Sequence, residues 1–315
     1  DSIGLYSNGL DLYTFRNQKL NQDTLGAIND IDKRCEFLQW GTIQGCLILP
    51  IDSFLHILTV SGFKTNLGLR YSKLGYSRDS IWMIAENQLV TDSNWVIGEQ
   101  LTATRHANGK DWWIIIRDNY DCKLTYLLTT NGIQFVQKQD CKLDPDVYSK
   151  SFSVFSNSGR YFVMRFGVLG IDLFEFSRKT GVISNKRNIP ALFGLHLAID
   201  ANEEFLYWTG LNESYIKTLF KFSIDAFQKV DSIAYRSPYS LSIYDKDIYV
   251  STDWIGLRTG TNCSMKRHND STRIYKINSD FTLDKVILPA GKVTGGLPNH
   301  ANYLLGPELS CGFVA

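Results

Sequence analysis

The segment from Arg105 to Trp113 carries the side chains with the clearest chemical potential. His106 and Asn108 lie two residues apart in it, and Asn108 begins an Asn-Gly turn that precedes a pair of tryptophans. A neutral imidazole can act as a general base or a ligand, so His106 is the catalytic candidate if the protein is an enzyme. His300 could join it at a channel mouth. The competing interpretation is a histidine satisfied by turn backbone, because turn groups readily bond one another.

Three carboxylates indicate a second kind of chemistry. Asp200, Asp245 and Asp253 stand beside short apolar runs, and oxygen ligands of this type suit calcium in the channel of a lactonase-like hydrolase or a lyase. Each also occupies a turn position, where aspartate usually bonds its own backbone. The sequence contains no GxSxG, HExxH, P-loop or GxGxxG signature, so we predict no cofactor, with calcium as the alternative.

Aromatic and arginine side chains in the loops favour a binding surface instead. These residue types are over-represented in binding hot spots, although ordinary packing between sheets would also explain the aromatic ones. The binding candidates are His106, Asn108, Tyr235, Arg236, Tyr239, Trp254, Arg258 and His300.

The six cysteines indicate disulfides and therefore an oxidising compartment, since they form no CxxC pair and show no zinc spacing. Cys122 and Cys141 bracket two short apolar runs and an Asn-Gly turn, so a hairpin would bring them together. Six cysteines allow 15 connectivities. Pairing of nearest neighbours selects, in addition, Cys35 with Cys46 and Cys263 with Cys311.

Length and composition indicate a globular chain rich in strands. The 315 residues carry 33 Lys+Arg and 32 Asp+Glu, a net charge of +1, which argues against a nucleic-acid partner. We expect no membrane span, because no apolar stretch approaches the roughly 20 residues that a bilayer requires. Numerous aromatic residues in short runs, separated by Asn, Asp, Ser and Gly, favour strands over helices.

Six similar strand-like segments recur along the chain at intervals of 43 to 58 residues. This period fits units of about four short strands, which radial stacking would bury between neighbouring sheets. We therefore predict an all-β, single-domain β-propeller over residues 1–315 with four-stranded antiparallel blades. Seven blades closed by strands from both termini are expected, with six as the alternative. The six segments are Ile3–Ser7, Phe54–Val60, Trp112–Arg117, Tyr161–Phe166, Phe205–Gly210 and Ile248–Asp253.

Two phrases, Leu101–Trp113 and Gly296–Pro307, carry a family resemblance. The chain resembles secreted or surface β-propeller proteins of the Bacteroidetes that are carried by type IX secretion substrates. The similarity spans the whole chain, although the family usually has Phe where His300 stands. It implies an extracellular location, an upstream strand missing before Asp1 and a missing C-terminal sorting domain. It also implies O-glycosylation at Asp-Ser and Asp-Thr contexts, namely Thr24, Ser80, Ser232 and Ser271.

Together these features predict a secreted or surface-displayed propeller that acts as a non-catalytic interaction module. Its expected partner is a protein or glycan at the cell surface, within a larger secretion or surface complex. The alternatives are the channel-centred metal-dependent enzyme and a structural spacer in a surface assembly.

Overall fold

The computed structural model describes the chain in segments. These are residues 5–7, 12–14, 20, 45–60, 68–77, 80–91, 100–118, 122–141, 152–165, 170–234, 238–244, 247–252, 273–278 and 280–286. The described residues form strands joined by turns, and they include no helix that could cross a membrane.

The strands pair almost entirely with their neighbours in sequence. A two-stranded antiparallel sheet comes first, formed by β1 (Leu5–Ser7) and β2 (Leu12–Thr14). Five four-stranded sheets follow, each with its strands in chain order. Sheet 1 consists of β3 (Cys46–Ile51), β4 (Phe54–Val60), β5 (Leu69–Tyr76) and β6 (Ile81–Leu89). Sheet 2 consists of β7 (Thr102–Arg105), β8 (Trp112–Arg117), β9 (Lys123–Thr129) and β10 (Gly132–Gln139).

The remaining three sheets repeat this arrangement. Sheet 3 consists of β11 (Ser153–Phe155), β12 (Tyr161–Arg165), β13 (Ile171–Phe176) and β14 (Ile183–Ile189). Sheet 4 consists of β15 (Leu192–Ile199), β16 (Phe205–Leu211), β17 (Lys217–Ser223) and β18 (Gln228–Ala234). Sheet 5 consists of β19 (Pro238–Tyr244), β20 (Asp247–Thr252), β21 (Arg273–Ile277) and β22 (Leu283–Val286).

The sequence pattern located these sheets. Five of the six predicted segments are the second strands of sheets 1 to 5, namely β4, β8, β12, β16 and β20. The sixth, Ile3–Ser7, overlaps β1. The segment expected to close the ring, residues 295–307, lies outside the described residues.

Burial falls from the second to the fourth strand of a sheet. Every residue of β8 is buried, whereas six of the seven residues of β18 are exposed. A strand covered on both faces is expected to read as a continuous apolar run, as the WWIII sequence of β8 does. The fourth strands β6, β10 and β18 all show a shift in pairing register. Such bulges are a common way to protect an exposed sheet edge.

The chain divides into two compact units, each with its own core. Unit 1 comprises residues 1–148, 176–184 and 301–312, and unit 2 comprises residues 149–175, 185–300 and 313–315. In unit 1, side chains of sheets 1 and 2 share one apolar cluster, and the Trp112 indole donates a hydrogen bond to the Pro50 carbonyl across it, at 3.0 Å. In unit 2, sheets 4 and 5 share a second cluster, which includes Leu219 and Val250.

Candidate functional site

The turn between β7 and β8 holds two of the predicted site residues, and its polar groups bond mainly to one another. Asn108 Oδ1 accepts hydrogen bonds from the backbone N–H groups of Lys110 and Asp111, at 2.9 and 3.0 Å. Its Nδ2 donates to the Asp111 carboxylate at 2.7 Å. Gly109 takes a φ of +71°, a conformation that favours glycine. Asn108 therefore organises the turn that leads into β8.

His106 is held by the same turn. Its Nδ1 accepts a hydrogen bond from the Asn108 backbone N–H at 3.0 Å, and its ring centroid lies 5.4 Å from that of Trp113. An acceptor at Nδ1 leaves the proton of the neutral ring on Nε2. The geometry matches the turn interpretation, and only Nε2 would be available to a ligand.

Arg178 clamps this turn from the β13–β14 connection, within unit 1. Its Nε donates to the Arg105 carbonyl at 2.8 Å and its Nη2 to the His106 carbonyl at 3.2 Å. The Arg178 carbonyl in turn accepts from the Ala107 N–H and from the Trp113 indole. Burial lowers the pKa of the Arg178 guanidinium from its ordinary value. These bonds fix the turn between two elements of the unit.

Asp200, the one predicted calcium ligand among the described residues, lies in the turn before β16. Its Oδ1 accepts a hydrogen bond from the Phe205 N–H at 2.6 Å. Burial raises the pKa of the Asp200 carboxyl, against the opposing effect of backbone donors such as Phe205. Asp245 and Asp253 lie outside the described residues. Within the part of the chain that is described, no three His, Cys, Asp or Glu side chains come together as a metal site.

Most of the remaining predicted binding residues fall outside the described segments. These are Tyr235, Arg236, Trp254, Arg258 and His300. Tyr239 lies on β19. Of the sites proposed for O-glycosylation, Ser80 and Ser232 are exposed, and Thr24 and Ser271 are not among the described residues.

The predicted pairing of Cys122 with Cys141 is confirmed, with the two Cα atoms 4.0 Å apart. The disulfide ties the start of β9 to the end of β10, at the opposite end of the sheet from the His106 turn. Cys46 begins β3. Its proposed partner Cys35, and the proposed Cys263–Cys311 pair, lie outside the described residues.

Two ion pairs accompany this disulfide. The fully buried Lys123 ammonium lies 2.9 Å from the Asp140 carboxylate. Lys138 lies 2.8 Å from the buried Asp118 carboxylate, whose other oxygen accepts from the Cys122 N–H. Buried charges of this kind are tolerated when each has a partner.

A different arrangement of charged side chains occurs in unit 2, where sheet 3 meets the β17–β18 turn. They line an open cavity of about 440 Å³, floored in part by the buried ring of Tyr161. We call this cavity the polar groove. Its charged and amide side chains are Arg160, Glu175, Asn185, Lys186, Arg187 and Asp225.

Each element of the groove is placed by local structure. Arg160 ends the β11–β12 turn, and its guanidinium lies 4.9 Å from the Tyr161 ring centroid. Tyr161 stands directly opposite Glu175 in the β12–β13 pairing. Asn185 adopts a φ of +50°, which asparagine tolerates better than most residues. Its Nδ2 donates to Glu175 Oε2 at 2.7 Å.

Two of the groove's cations are already engaged. Lys186 Nζ lies 2.8 Å from the carboxylate of Asp172, which is 1% exposed. Arg187 Nη1 donates to the Ile224 carbonyl at 3.1 Å, and its guanidinium lies 4.9 Å from the Phe227 ring centroid. By contrast, the side chains of Arg160 and Asp225 make no hydrogen bond or ion pair with any described residue.

Sequence reasoning did not find the polar groove, because its residues come from four separate segments and form no motif. The one local signal is in β14, where five consecutive polar residues, Ser184 to Asn188, stand between two isoleucines. That signal equally describes an ordinary solvated edge strand, so it could not have distinguished a site.

Comparison with solved structures identifies the fold. The chain matches the Dos1 propeller with a TM-score of 0.51 at 10% sequence identity, over 90% of this chain and 70% of that one. The chain is a β-propeller.

Other solved structures match the chain with lower TM-scores. TolB from Acinetobacter baumannii matches with a TM-score of 0.44 at 9% identity, over 87% of this chain and 57% of its own. A candidate 6-phosphogluconolactonase from Bacteroides uniformis matches with a TM-score of 0.44 at 13% identity, over 90% of this chain and 93% of its own. The propeller described here thus spans less than two thirds of TolB. No protein-family model and no curated sequence matches this chain.

Proposed function

We propose that this β-propeller is an extracellular, non-catalytic interaction module that binds a protein or glycan at the cell surface. The observation that carries the proposal is the polar groove, an open cavity whose size falls within the roughly 300–1,000 Å³ of small-ligand sites. It presents a guanidinium and a carboxylate with unfilled hydrogen-bonding capacity. Exposed side chains in this state, in turns next to paired strands, can exchange hydrogen bonds to water for hydrogen bonds to a ligand.

The catalytic alternative has weaker support. His106 Nδ1 is occupied by the Asn108 N–H, and Asp200 Oδ1 by the Phe205 N–H. Both side chains therefore stabilise the turns in which they lie, and this structural role does not require a catalytic function. A propeller fold hosts enzymes and binding proteins alike, so the fold does not choose between them.

The extracellular part of the proposal rests on the Cys122–Cys141 disulfide. Disulfides persist in oxidising compartments and are rare in the cytosol. Export by a type IX route, O-glycosylation and membership of a larger surface complex extend this proposal on the resemblance alone. Intact mass of native material under non-reducing conditions, with identification of attached glycans, tests these points.

A direct test compares binding with turnover. Labelled protein is applied to an array that carries both glycans and surface proteins, and hydrolysis of glucono-1,5-lactone is followed with and without added calcium. We expect saturable binding to one class of spot and no lactone turnover above the buffer rate. Stoichiometric calcium in the purified protein, together with turnover that is lost in His106→Gln, would establish the enzyme instead.

A further inference from the structure

We infer that the polar groove binds the hydroxyl groups of an uncharged pyranoside, so that the partner is a neutral glycan. This inference rests on the proposed function and names the ligand class of the same site. Three properties of the groove carry it: its balanced charge, its unfilled hydrogen-bonding groups and the burial of its aromatic lining residue.

The charges of the groove cancel. Arg160, Lys186 and Arg187 supply three positive charges, and Glu175 and Asp225 supply two negative ones. Asp172, ion-paired to Lys186 at 2.8 Å, supplies the third. A phosphate or a uronate would meet the two carboxylates of the groove, and a cationic ligand would meet its guanidinium groups. A neutral ligand avoids both penalties.

The unfilled groups are those that hydroxyls satisfy best. The Asp225 carboxylate, Glu175 Oε1 and Asn185 Oδ1 accept no hydrogen bond from any described residue. They are acceptors, and the Arg160 guanidinium beside them is a donor. A sugar hydroxyl both donates and accepts, so adjacent hydroxyls can bond a carboxylate and a guanidinium together. Hydrogen bonds to charged groups are also stronger than neutral ones.

The aromatic residue that lines the groove argues against a peptide. The Arg160 guanidinium lies 4.9 Å from the ring centroid of Tyr161. Peptide recognition usually depends on an apolar slot for an anchoring side chain. Tyr161, the aromatic residue among those that line the groove, is only 3% exposed, so the lining offers polar contacts in place of such a slot. Because Tyr161 is buried, the lining residues also offer no exposed ring for a sugar to stack on, so binding should be weak.

The test titrates the whole chain with three neutral probes by saturation-transfer difference NMR. These are methyl β-D-glucopyranoside, methyl β-D-galactopyranoside and methyl α-D-mannopyranoside, run in parallel with D-galacturonate and lysine amide. We expect a Kd near the millimolar range for at least one neutral probe. Because that ligand carries no charge, its Kd should change less than about twofold between roughly 50 and 300 mM NaCl.

Variants then assign the binding to the groove. Asp225→Ala and Arg160→Gln should each weaken binding about tenfold or more, since each removes a charged hydrogen-bonding partner. Glu213→Gln is the matched control, because Glu213 is an exposed acid at the opposite end of β17 from Asp225. It should bind as the unchanged protein does. Thermal unfolding of each variant shows whether the fold is intact.

Two kinds of result would overturn the inference. One is tighter binding of galacturonate or lysine amide than of every neutral probe, and the other is no neutral binding at all. If the neutral probes fail while a protein spot on the array still binds, the interaction module stands and only the glycan assignment falls. If nothing on the array binds either, both fall.

Discussion

Sheet 2 and the polar groove use the same kinds of side chain to opposite effect. In sheet 2, Asn108, Asp118 and Lys123 each bond to partners in the same unit, and Lys123 is fully buried. In the groove, the side chains of Arg160 and Asp225 are exposed and have no such partner among the described residues. Polar groups whose bonds are filled stabilise a fold, and those left unfilled at a cavity are available to a ligand. Variants in sheet 2 should therefore change stability, whereas variants in the groove should change binding.

The largest effect is expected from the disulfide of sheet 2. Replacing both Cys122 and Cys141 with serine removes a cross-link over a sequence separation of 19 residues, which the chain-entropy model values at about 3 kcal/mol. Urea unfolding followed by tryptophan fluorescence should show this loss. Reduced wild-type protein is the control and should match the double variant. An unchanged midpoint would mean that the two ion pairs hold this end of the sheet alone.

Acid should destabilise the fold through buried histidines that take no part in binding. Burial, assisted by Lys73, lowers the pKa of His56 to about 4, and Asp52 opposes this. Burial, assisted by Arg165, lowers the pKa of His196 to about 3. The unfolded chain then binds protons that the folded chain does not. The stabilisation that the two neutral histidines contribute is fully present above about pH 6.5. It is lost as the pH falls from 6.5 towards the folded-state pKa values of about 4 for His56 and about 3 for His196.

For His56 the full loss corresponds to roughly 3 kcal/mol. The measurement is the free energy of unfolding in urea at about pH 7.5, 6 and 5, for the unchanged protein and for His56→Gln. The variant should show a shallower pH slope. In the unchanged protein the Tyr71 hydroxyl lies 2.8 Å from His56 Nδ1, and in the variant it can form a hydrogen bond with the glutamine instead. Equal slopes in the two proteins would contradict the burial argument.

Asn108→Ala should cost about 1–2 kcal/mol of unfolding free energy, because it leaves turn N–H groups without their acceptor. Asn131→Ala is a matched control in the β9–β10 turn of the same sheet. Asn131 is exposed, and its side chain makes no hydrogen bond among the described residues. It should change the unfolding free energy by less than about 0.5 kcal/mol. If the two variants were equally stable, the Asn108 bonds would contribute nothing net.

The smallest effect on stability is expected in the groove itself. Asp225→Asn should move the melting temperature by no more than a typical surface substitution does, within about 0.5 kcal/mol. Asp225 is exposed, and its side chain makes no hydrogen bond or ion pair with a described residue. Its replacement therefore leaves none of the described residues without a partner. Differential scanning fluorimetry checks this. A clear loss of stability would place Asp225 among the structural groups and blur the contrast with sheet 2.

The sequence predicted the repeated strands well because each depends on local chemistry. The Trp112–Ile116 run has to be buried on both faces, and it forms the centre of sheet 2. The Asn-Gly turn between Cys122 and Cys141 made their pairing predictable, because a hairpin brings its ends together whatever surrounds it. The role of His106 was left open, since the sequence cannot show which nitrogen a turn N–H will reach.

The fold class, the strand positions and one disulfide were thus decided by the sequence itself, through the period of its apolar runs and the chemistry of its turns. The polar groove was decided only by the tertiary structure. Arg160, Asn185 and Asp225 belong to three different turns and strands, and nothing within each segment specifies the others. Packing in unit 2 brings them to one cavity. Hydrophobic burial determines the positions of the sheets, and these positions in turn place the polar side chains of the strands and turns.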